Sequence, residues 1–168
     1  PFFCTSGIGF DAHIGKLFAT SAKRGLKSYV KITLQEFSSY KAQEYKIIID
    51  GKELDRKAFL ITVANAGQYG NNFYIAPQAK LNDGLFHIVV LKPFNLFGGT
   101  GTVLKVLQRK ANEAKLIETF TGKELTITRG NPDSIHFDGE PYLQGEKLKY
   151  ILYSKSLRVI VGKTFDGV

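Results

Sequence analysis

Short apolar runs alternate with polar, glycine-bearing stretches along this chain, and the period of each run predicts its element. Phe59-Leu60-Ile61-Thr62-Val63-Ala64 and Leu85-Phe86-His87-Ile88-Val89-Val90-Leu91 are rich in β-branched and aromatic residues and read as buried strands. Between them, Ala64 to Pro77 holds two glycines, three asparagines and one proline, then runs on through Lys80 to Leu85. That span is too long for a plain hairpin. It is either a wide surface loop or a binding loop, and local pattern leaves both open.

Period two sets in at Tyr45 to Ile49. With Asp50-Gly51 and Lys52 to Asp55 it predicts a hairpin in which Asp50 is a turn residue. Leu26, Tyr29, Val30, Thr33, Leu34 and Phe37 recur at steps of three and four and predict an amphipathic helix. Pro1 to Phe10 reads as a strand, followed by a helix to about Ala22 with Asp11 as its N-cap. Leu96 to about Ala111 is expected to be helical in part, its start delayed by Gly98, Gly99 and Gly101. Ala114–Phe120 and Glu124–Arg129 are expected to pair around Thr121-Gly122-Lys123, with closing strands at Lys147–Tyr153 and Leu157–Val161. Roughly eight to ten strands with two or three helices predict a mainly β, α+β fold. We expect an antiparallel β-sandwich or irregular barrel with peripheral helices, in a single domain over residues 1–168.

Composition narrows the class. The chain has 168 residues, 43% of them hydrophobic and 23% charged, which suits one packed core and excludes a disordered chain. A formal charge of +8 calls for an anionic partner: nucleic acid, a phosphorylated ligand or an acidic membrane surface. No apolar run approaches the roughly 18 residues of a membrane span. Cys4, the single cysteine, has no partner for an internal disulfide and fits a reducing, cytoplasmic setting. The chain has no methionine and begins inside an expected strand, which points to the C-terminal part of a longer protein.

Candidate chemistry centres on His136-Phe137-Asp138-Gly139-Glu140. If this stretch is extended, His136, Asp138 and Glu140 share one face, with the two carboxylates about 7 Å apart. Such a pair suits proton acceptance from a hydroxyl or the ordering of magnesium near a phosphate. The alternative is a second Asp-Gly hairpin turn, against which Pro141 speaks by removing a donor from the return strand. Asn82-Asp83-Gly84 is either a cation-binding carboxylate with nearby carbonyls or a turn. His13, His87 and His136 lack metal-ligand spacing, and His87 reads as structural. There is no P-loop or nucleophile elbow, and Gly7-Ile8-Gly9 lacks the third glycine of a dinucleotide site.

Four motifs occur in order: Gly7-Ile8-Gly9-Phe10-Asp11-Ala12; Asn65 with Gly70-Asn71-Asn72 and Ile75-Ala76-Pro77; Asn82-Asp83-Gly84-Leu85; and Asp138-Gly139-Glu140-Pro141. The series resembles the C-terminal domain of the diacylglycerol kinase and sphingosine kinase-like lipid kinases, over nearly the whole chain. The resemblance implies a β-rich C-terminal lobe that completes a cleft with an N-terminal nucleotide-binding lobe. That lobe's Gly-Gly-Asp-Gly-Thr segment is missing from this chain. The usual glycine triplet is Gly70-Asn71-Asn72 here, where asparagine tolerates left-handed backbone.

By the same resemblance Glu140 and Asp138 are catalytic, accepting the lipid hydroxyl's proton and joining the magnesium–nucleotide network. Asp83, with the carbonyls of Lys80 and Leu85, matches a magnesium position. Asp11 lies near the acceptor head group, with Asn65 and Gly70 as further substrate-binding positions. Lys23 and Arg24 are carried over to the nucleotide phosphates. The expected cofactors are ATP and Mg2+, and the expected partners are the chain's own N-terminal lobe and a lipid at an anionic membrane surface. The setting is cytoplasmic, peripheral to the inner face of the membrane; homodimerisation stays open and no nucleic acid is expected. Two other classes stand beside this one. With 13 Phe and 8 Tyr, a basic β-barrel that stacks single-stranded nucleic acid is one; a non-catalytic scaffold homologue is the other.

Overall fold

Whether a strand alternates or runs apolar throughout depends on how many of its faces are covered, and both kinds occur here. The structure is a computed structural model and describes residues 1–21, 25–70 and 73–163. β1 (Thr5–Gly9), β4 (Leu60–Ala64) and β7 (Phe86–Leu91) are buried almost continuously. They form the middle of a six-stranded antiparallel sheet flanked by β10 (Asp133–Phe137), β11 (Glu140–Gln144) and β8 (Ile117–Gly122), in the order β11-β10-β1-β4-β7-β8. β2 (Gln43–Ile49), β9 (Glu124–Arg129) and β12 (Lys147–Ile151) alternate instead. With β3 (Lys52–Ala58) they make a four-stranded antiparallel sheet, order β12-β9-β2-β3.

The two sheets close on a core to which Ile8, Ile61, Ile88 and Ile135 come from the larger sheet and Ile47, Leu125, Ile127 and Leu148 from the smaller. The larger sheet is covered on its other face as well. There Val89, Leu91 and Ile117 pack with Phe10 and Ile14 of α1 (Phe10–Thr20) and with Val106 of α3 (Leu96–Leu107). α2 (Leu26–Phe37) lies against α1, with His13 Nε2 bonded to Glu36 Oε2 at 2.8 Å. The result is a β-sandwich with three α-helices among the described residues: of the two expected architectures, sandwich or irregular barrel, the sandwich is the one observed.

Local pattern failed in five places. Ile117–Gly122 and Glu124–Arg129 do not form a hairpin but belong to different sheets. The Asp50 carboxylate accepts the N–H groups of Lys123 and Glu124, which holds the chain where it crosses between layers. α3 starts before its glycines because the Asn95 side chain caps it, accepting from Gly98 N at 2.7 Å. Only part of the predicted face of α2 is covered: Tyr29 and Phe37 pack inward with Ile32, whereas Val30 and Leu34 are exposed. Residues 157–161 form no strand, since β-propensity alone supplies no pairing partner. The first strand begins only at Thr5, because the N–H groups of Phe3 and Cys4 bond a side chain (Asp138) instead of a ladder.

The sheet edges β3 and β8 are pinned together by Glu118, which accepts from Arg56 Nε at 2.7 Å and pairs with Lys92 Nζ at 2.8 Å. Those two cations hold the Glu118 carboxyl below its usual value. A lowered folded-state value adds stability above the unfolded-state value, about 4.3, and that stability is lost as pH falls through the folded-state value. Glu118→Gln is therefore expected to lower the melting temperature at pH 7, with a smaller deficit at pH 3. Paired melting curves at the two pH values check this.

Candidate functional site

Asp11 stands in the first turn of α1 yet does not cap it; Gly9 occupies the cap position with no side-chain bond. Gly9 has φ +95°, a conformation that L side chains rarely adopt, and the chain turns there to lay Asp11 back over Gly7. A Cβ on Gly7 would lie 2.0 Å from Asp11 Oδ2 and 2.3 Å from His136 Nε2, so only glycine leaves room for the two side chains to meet. Asp11 and His136 are buried. Asp11 Oδ1 accepts from Ala12 N at 2.7 Å, and Oδ2 accepts from the Tyr69 hydroxyl and lies 3.2 Å from His136 Nε2.

Tyr69 belongs to β5 (Gln68–Gly70), which among the described residues pairs only with β6 (Phe73–Tyr74). Its hydroxyl is 2.8 Å from His136 Nε2. Burial, with the Asp11 charge beside it, pushes the Tyr69 phenol well above its ordinary value, so it stays protonated and donates. Gly139 N–H donates to His136 Nδ1 over a long 3.4 Å, which makes Nδ1 the acceptor and leaves Nε2–H to face Tyr69 and Asp11.

The Asp138 stretch takes the turn alternative. Asp138 and Gly139, with φ +51° and +91°, form a two-residue turn closing on the Phe137↔Glu140 pair. The shared face expected for His136, Asp138 and Glu140 is thereby overturned. Alternation restarts after the turn, so Glu140 shares a face with Phe137, and His136 with Pro141. Pro141 is tolerated because β11 is the edge strand and its nitrogen points away from β10 at that register.

Asp138 Oδ1 accepts from Cys4 N and Thr5 N at 2.8 and 2.9 Å, and Oδ2 from Phe3 N at 2.7 Å. Asp138→Ala is expected to lose about 2 kcal/mol, two exposed backbone bonds and one part-buried one at under about 1 kcal/mol each. Asp138→Asn, which keeps an acceptor and tolerates positive φ, is expected to lose less than half of that in urea unfolding. Glu140 differs from every other carboxylate singled out here. It is exposed at the start of the edge strand β11, and among the described residues its side chain has no hydrogen-bond or ion-pair partner.

Asp83 closes its own turn. Its carboxylate accepts from Lys80 N at 3.2 Å and Leu85 N at 2.9 Å, and Oδ2 is 2.9 Å from Nε2 of the buried His87. Three of about four acceptor positions are thus filled. Among the described residues no group of three His, Cys, Asp or Glu side chains could hold a metal ion. The turn offers one carboxylate position and backbone carbonyls, which suits a cation that keeps most of its own water, as magnesium does. His87 pairs with Ala64, Ala64 with Thr5, and Thr5 O accepts from Asp138 N. Asp83 and Asp138 therefore flank the same end of the sheet, about 14 Å apart at three strand spacings.

Asn65 Nδ2 donates to Phe3 O at 2.8 Å and so holds the N-terminal residues against β4. Gly70 lines a cleft of about 470 Å³ with Thr5, Gly67, Tyr69, Asp138 and Gly139. Lys23 and Arg24 lie outside the described residues. Cys4 borders the same cleft, and partial burial together with Asp138 raises its thiol above the ordinary value. Two participants were not legible beforehand. Tyr69 meets Asp11 across 58 positions of chain, and the buried Arg129 donates to the carbonyls of Asp133, Ser134, Gln144 and Gly145 at the far end of the β10–β11 hairpin.

Comparison with known proteins gives a consistent result. The family model described as YegS C-terminal NAD kinase beta sandwich-like domain matches residues 5–160. A probable lipid kinase YegS-like from Shewanella frigidimarina is 26% identical over 155 residues, covering 91% of this chain and 50% of that protein. A protein of the same description from Pseudomonas aeruginosa is 24% identical over 140 residues, covering 80% and 44%. The chain thus spans about half the length of the curated relatives it matches. Among solved structures, a putative diacylglycerol kinase from Bacillus anthracis superposes with a TM-score of 0.56 at 19% identity, over 90% of this chain and 53% of that one. A second B. anthracis structure, titled as a diacylglycerol kinase, gives 0.54 at 18%, over 90% and 46%. At these identities the likeness of structure concerns the fold.

Proposed function

The chain belongs to the YegS C-terminal NAD kinase beta sandwich-like domain family, and from that membership we propose that it is the C-terminal domain of an ATP-dependent lipid kinase, transferring the γ-phosphate to a lipid hydroxyl. Glu140 carries the reading. It is an exposed carboxylate at the start of the edge strand β11, next to the cleft-lining Asp138 and Gly139, and among the described residues its side chain has no partner, whereas Asp11, Asp83 and Asp138 are all engaged by neighbouring donors.

In this proposal Glu140 accepts the proton of the attacking lipid hydroxyl as the new oxygen–phosphorus bond forms and the bond from the γ-phosphorus to the bridging oxygen breaks, releasing ADP. Asp138 holds the turn that presents Glu140, by tying Gly139 and its neighbours to Phe3, Cys4 and Thr5. Asp83, with the carbonyls of Lys80 and Leu85, would hold magnesium, which supplies positive charge to offset that on the phosphates. Nucleotide binding is assigned to a second lobe outside this chain. The excess of basic over acidic residues favours approach to an anionic bilayer. Among the described residues no helix is long and apolar enough to cross a membrane.

The test is transfer of labelled phosphate from ATP to a panel of lipid alcohols by the full-length protein, on anionic vesicles with and without magnesium. Labelling of a lipid alcohol supports the proposal. No labelling of any lipid, together with salt-sensitive binding of single-stranded DNA, would favour the nucleic-acid class instead.

A further inference from the structure

α3 is covered on one side only. Gly99, Thr102 and Val106 are buried, whereas Val103, Leu104 and Leu107 are 47%, 56% and 55% exposed. With Gln108 these three span an arc of about 140° around the helix, and no charged residue stands on it. Exposed apolar residues are ordinary singly, but a contiguous apolar face turned to water marks a surface that meets something.

The charge beside this face is one-sided. Residues 92–115 carry five Lys or Arg against one carboxylate, Glu113, and so hold half of the chain's net charge of +8. Lys92 is paired with Glu118, and Lys105 Nζ donates to Glu113 O at 2.6 Å. Lys110 and Lys115, beyond the C-terminal end of the helix, are exposed and among the described residues have no ion-pair partner.

Outward apolar side chains with uncompensated cations next to them fit the boundary of an anionic bilayer. There the first enter the acyl region and the second meet lipid phosphates. A nucleic acid would take the cations but gain little from leucine and valine, because bases stack on aromatic rings. A second copy would bring the same uncompensated charge to both sides of the contact.

We infer that the outer face of α3 docks the protein on an anionic membrane, with Val103, Leu104 and Leu107 in the lipid and Lys110 and Lys115 against its phosphates. Docking takes its purpose from the lipid-kinase reading; the face itself does not depend on it. The same helix reaches the cleft. Arg109, just past its last turn, donates from Nη2 to the Tyr74 hydroxyl at 2.9 Å and lies 3.9 Å from the centre of that ring, and Tyr74 lines the cleft. A docked α3 therefore holds one wall of the cleft beside the surface that carries the lipid.

The test is cosedimentation of the full-length protein with vesicles of three parts phosphatidylcholine to one part phosphatidylglycerol, without ATP. Leu104→Ser combined with Leu107→Ser is expected to weaken binding about 10–100-fold. Lys110→Gln combined with Lys115→Gln is expected to weaken it about 10–30-fold, a difference that disappears at high salt. Ile151→Ser removes an exposed apolar side chain from the outer face of the smaller sheet and is expected to leave binding unchanged. Melting temperature and oligomeric state should match the parent's throughout.

Parental binding by the double serine variant overturns docking through α3. So does a fall of several degrees in its melting temperature or a change in its oligomeric state, since the face would then be covered by the second lobe or by a second copy. Leu104→Trp reads insertion directly, as fluorescence that brominated phosphatidylcholine quenches, and an unquenched signal also overturns it. Vesicle binding through α3 by a protein that phosphorylates no lipid would sink the kinase reading alone. Lipid phosphorylation by a protein whose vesicle binding is indifferent to α3 would sink the docking alone.

Discussion

Replacing Glu140 with glutamine in the full-length protein is expected to cut lipid phosphorylation by about 10²–10⁴-fold, the usual range for removing a positioned general base. The loss should fall on kcat, because glutamine keeps the size and polarity of the side chain and loses only the basic oxygen. Folding should be unaffected: Glu140 is exposed, and among the described residues its side chain contributes no hydrogen bond or ion pair. A variant with unchanged melting temperature and abolished turnover is the expected pair of results. Turnover within threefold of the parent protein would remove Glu140 from the chemistry and favour the non-catalytic scaffold class.

Arg129→Met is expected to be the most damaging of these changes to stability, at about 3–5 kcal/mol. The guanidinium is buried, has no carboxylate partner among the described residues, and donates to four backbone carbonyls, at 2.7 Å to Asp133, 2.9 Å to Gln144, 3.2 Å to Ser134 and 3.3 Å to Gly145. Methionine fills the space but leaves those oxygens without their donor. For a chain of this size the loss converts to a drop of roughly 6–20 °C in melting temperature, read by circular dichroism. Arg129→Lys keeps the charge but not the planar fork, and should fall between. Because this bond set ties the β10–β11 hairpin to β9 of the other sheet, its loss should also lower turnover at temperatures where the protein remains folded. A change of under 3 °C for Arg129→Met would show that the four carbonyls are satisfied without it.

The period of its apolar residues determined much of this protein. Continuous runs at Phe59–Ala64 and Leu85–Leu91 stated that a sheet is covered on both faces, and the alternation at Tyr45–Ile49 stated that another is covered on one. Asp50-Gly51 stated a turn. These are local facts, since each depends on residues within a few positions of one another. Tertiary structure decided which strands became neighbours: Gly122 and Glu124 went to separate sheets because Asp50, more than 70 positions away, takes the N–H groups at the crossing.

It also decided what each acidic group does. By pattern Asp11, Asp83, Asp138 and Glu140 are alike, a carboxylate near a glycine or a turn. Asp11 and Asp138 are engaged by donors that no local rule could bring to them, including His136 at 125 positions and Phe3 at 135; Asp83 is filled by its own turn and by His87 four positions on, and Glu140 is left free. A carboxylate's availability depends on whether the fold surrounds it with donors, so the sequence could name the candidates and only the packed chain could divide them.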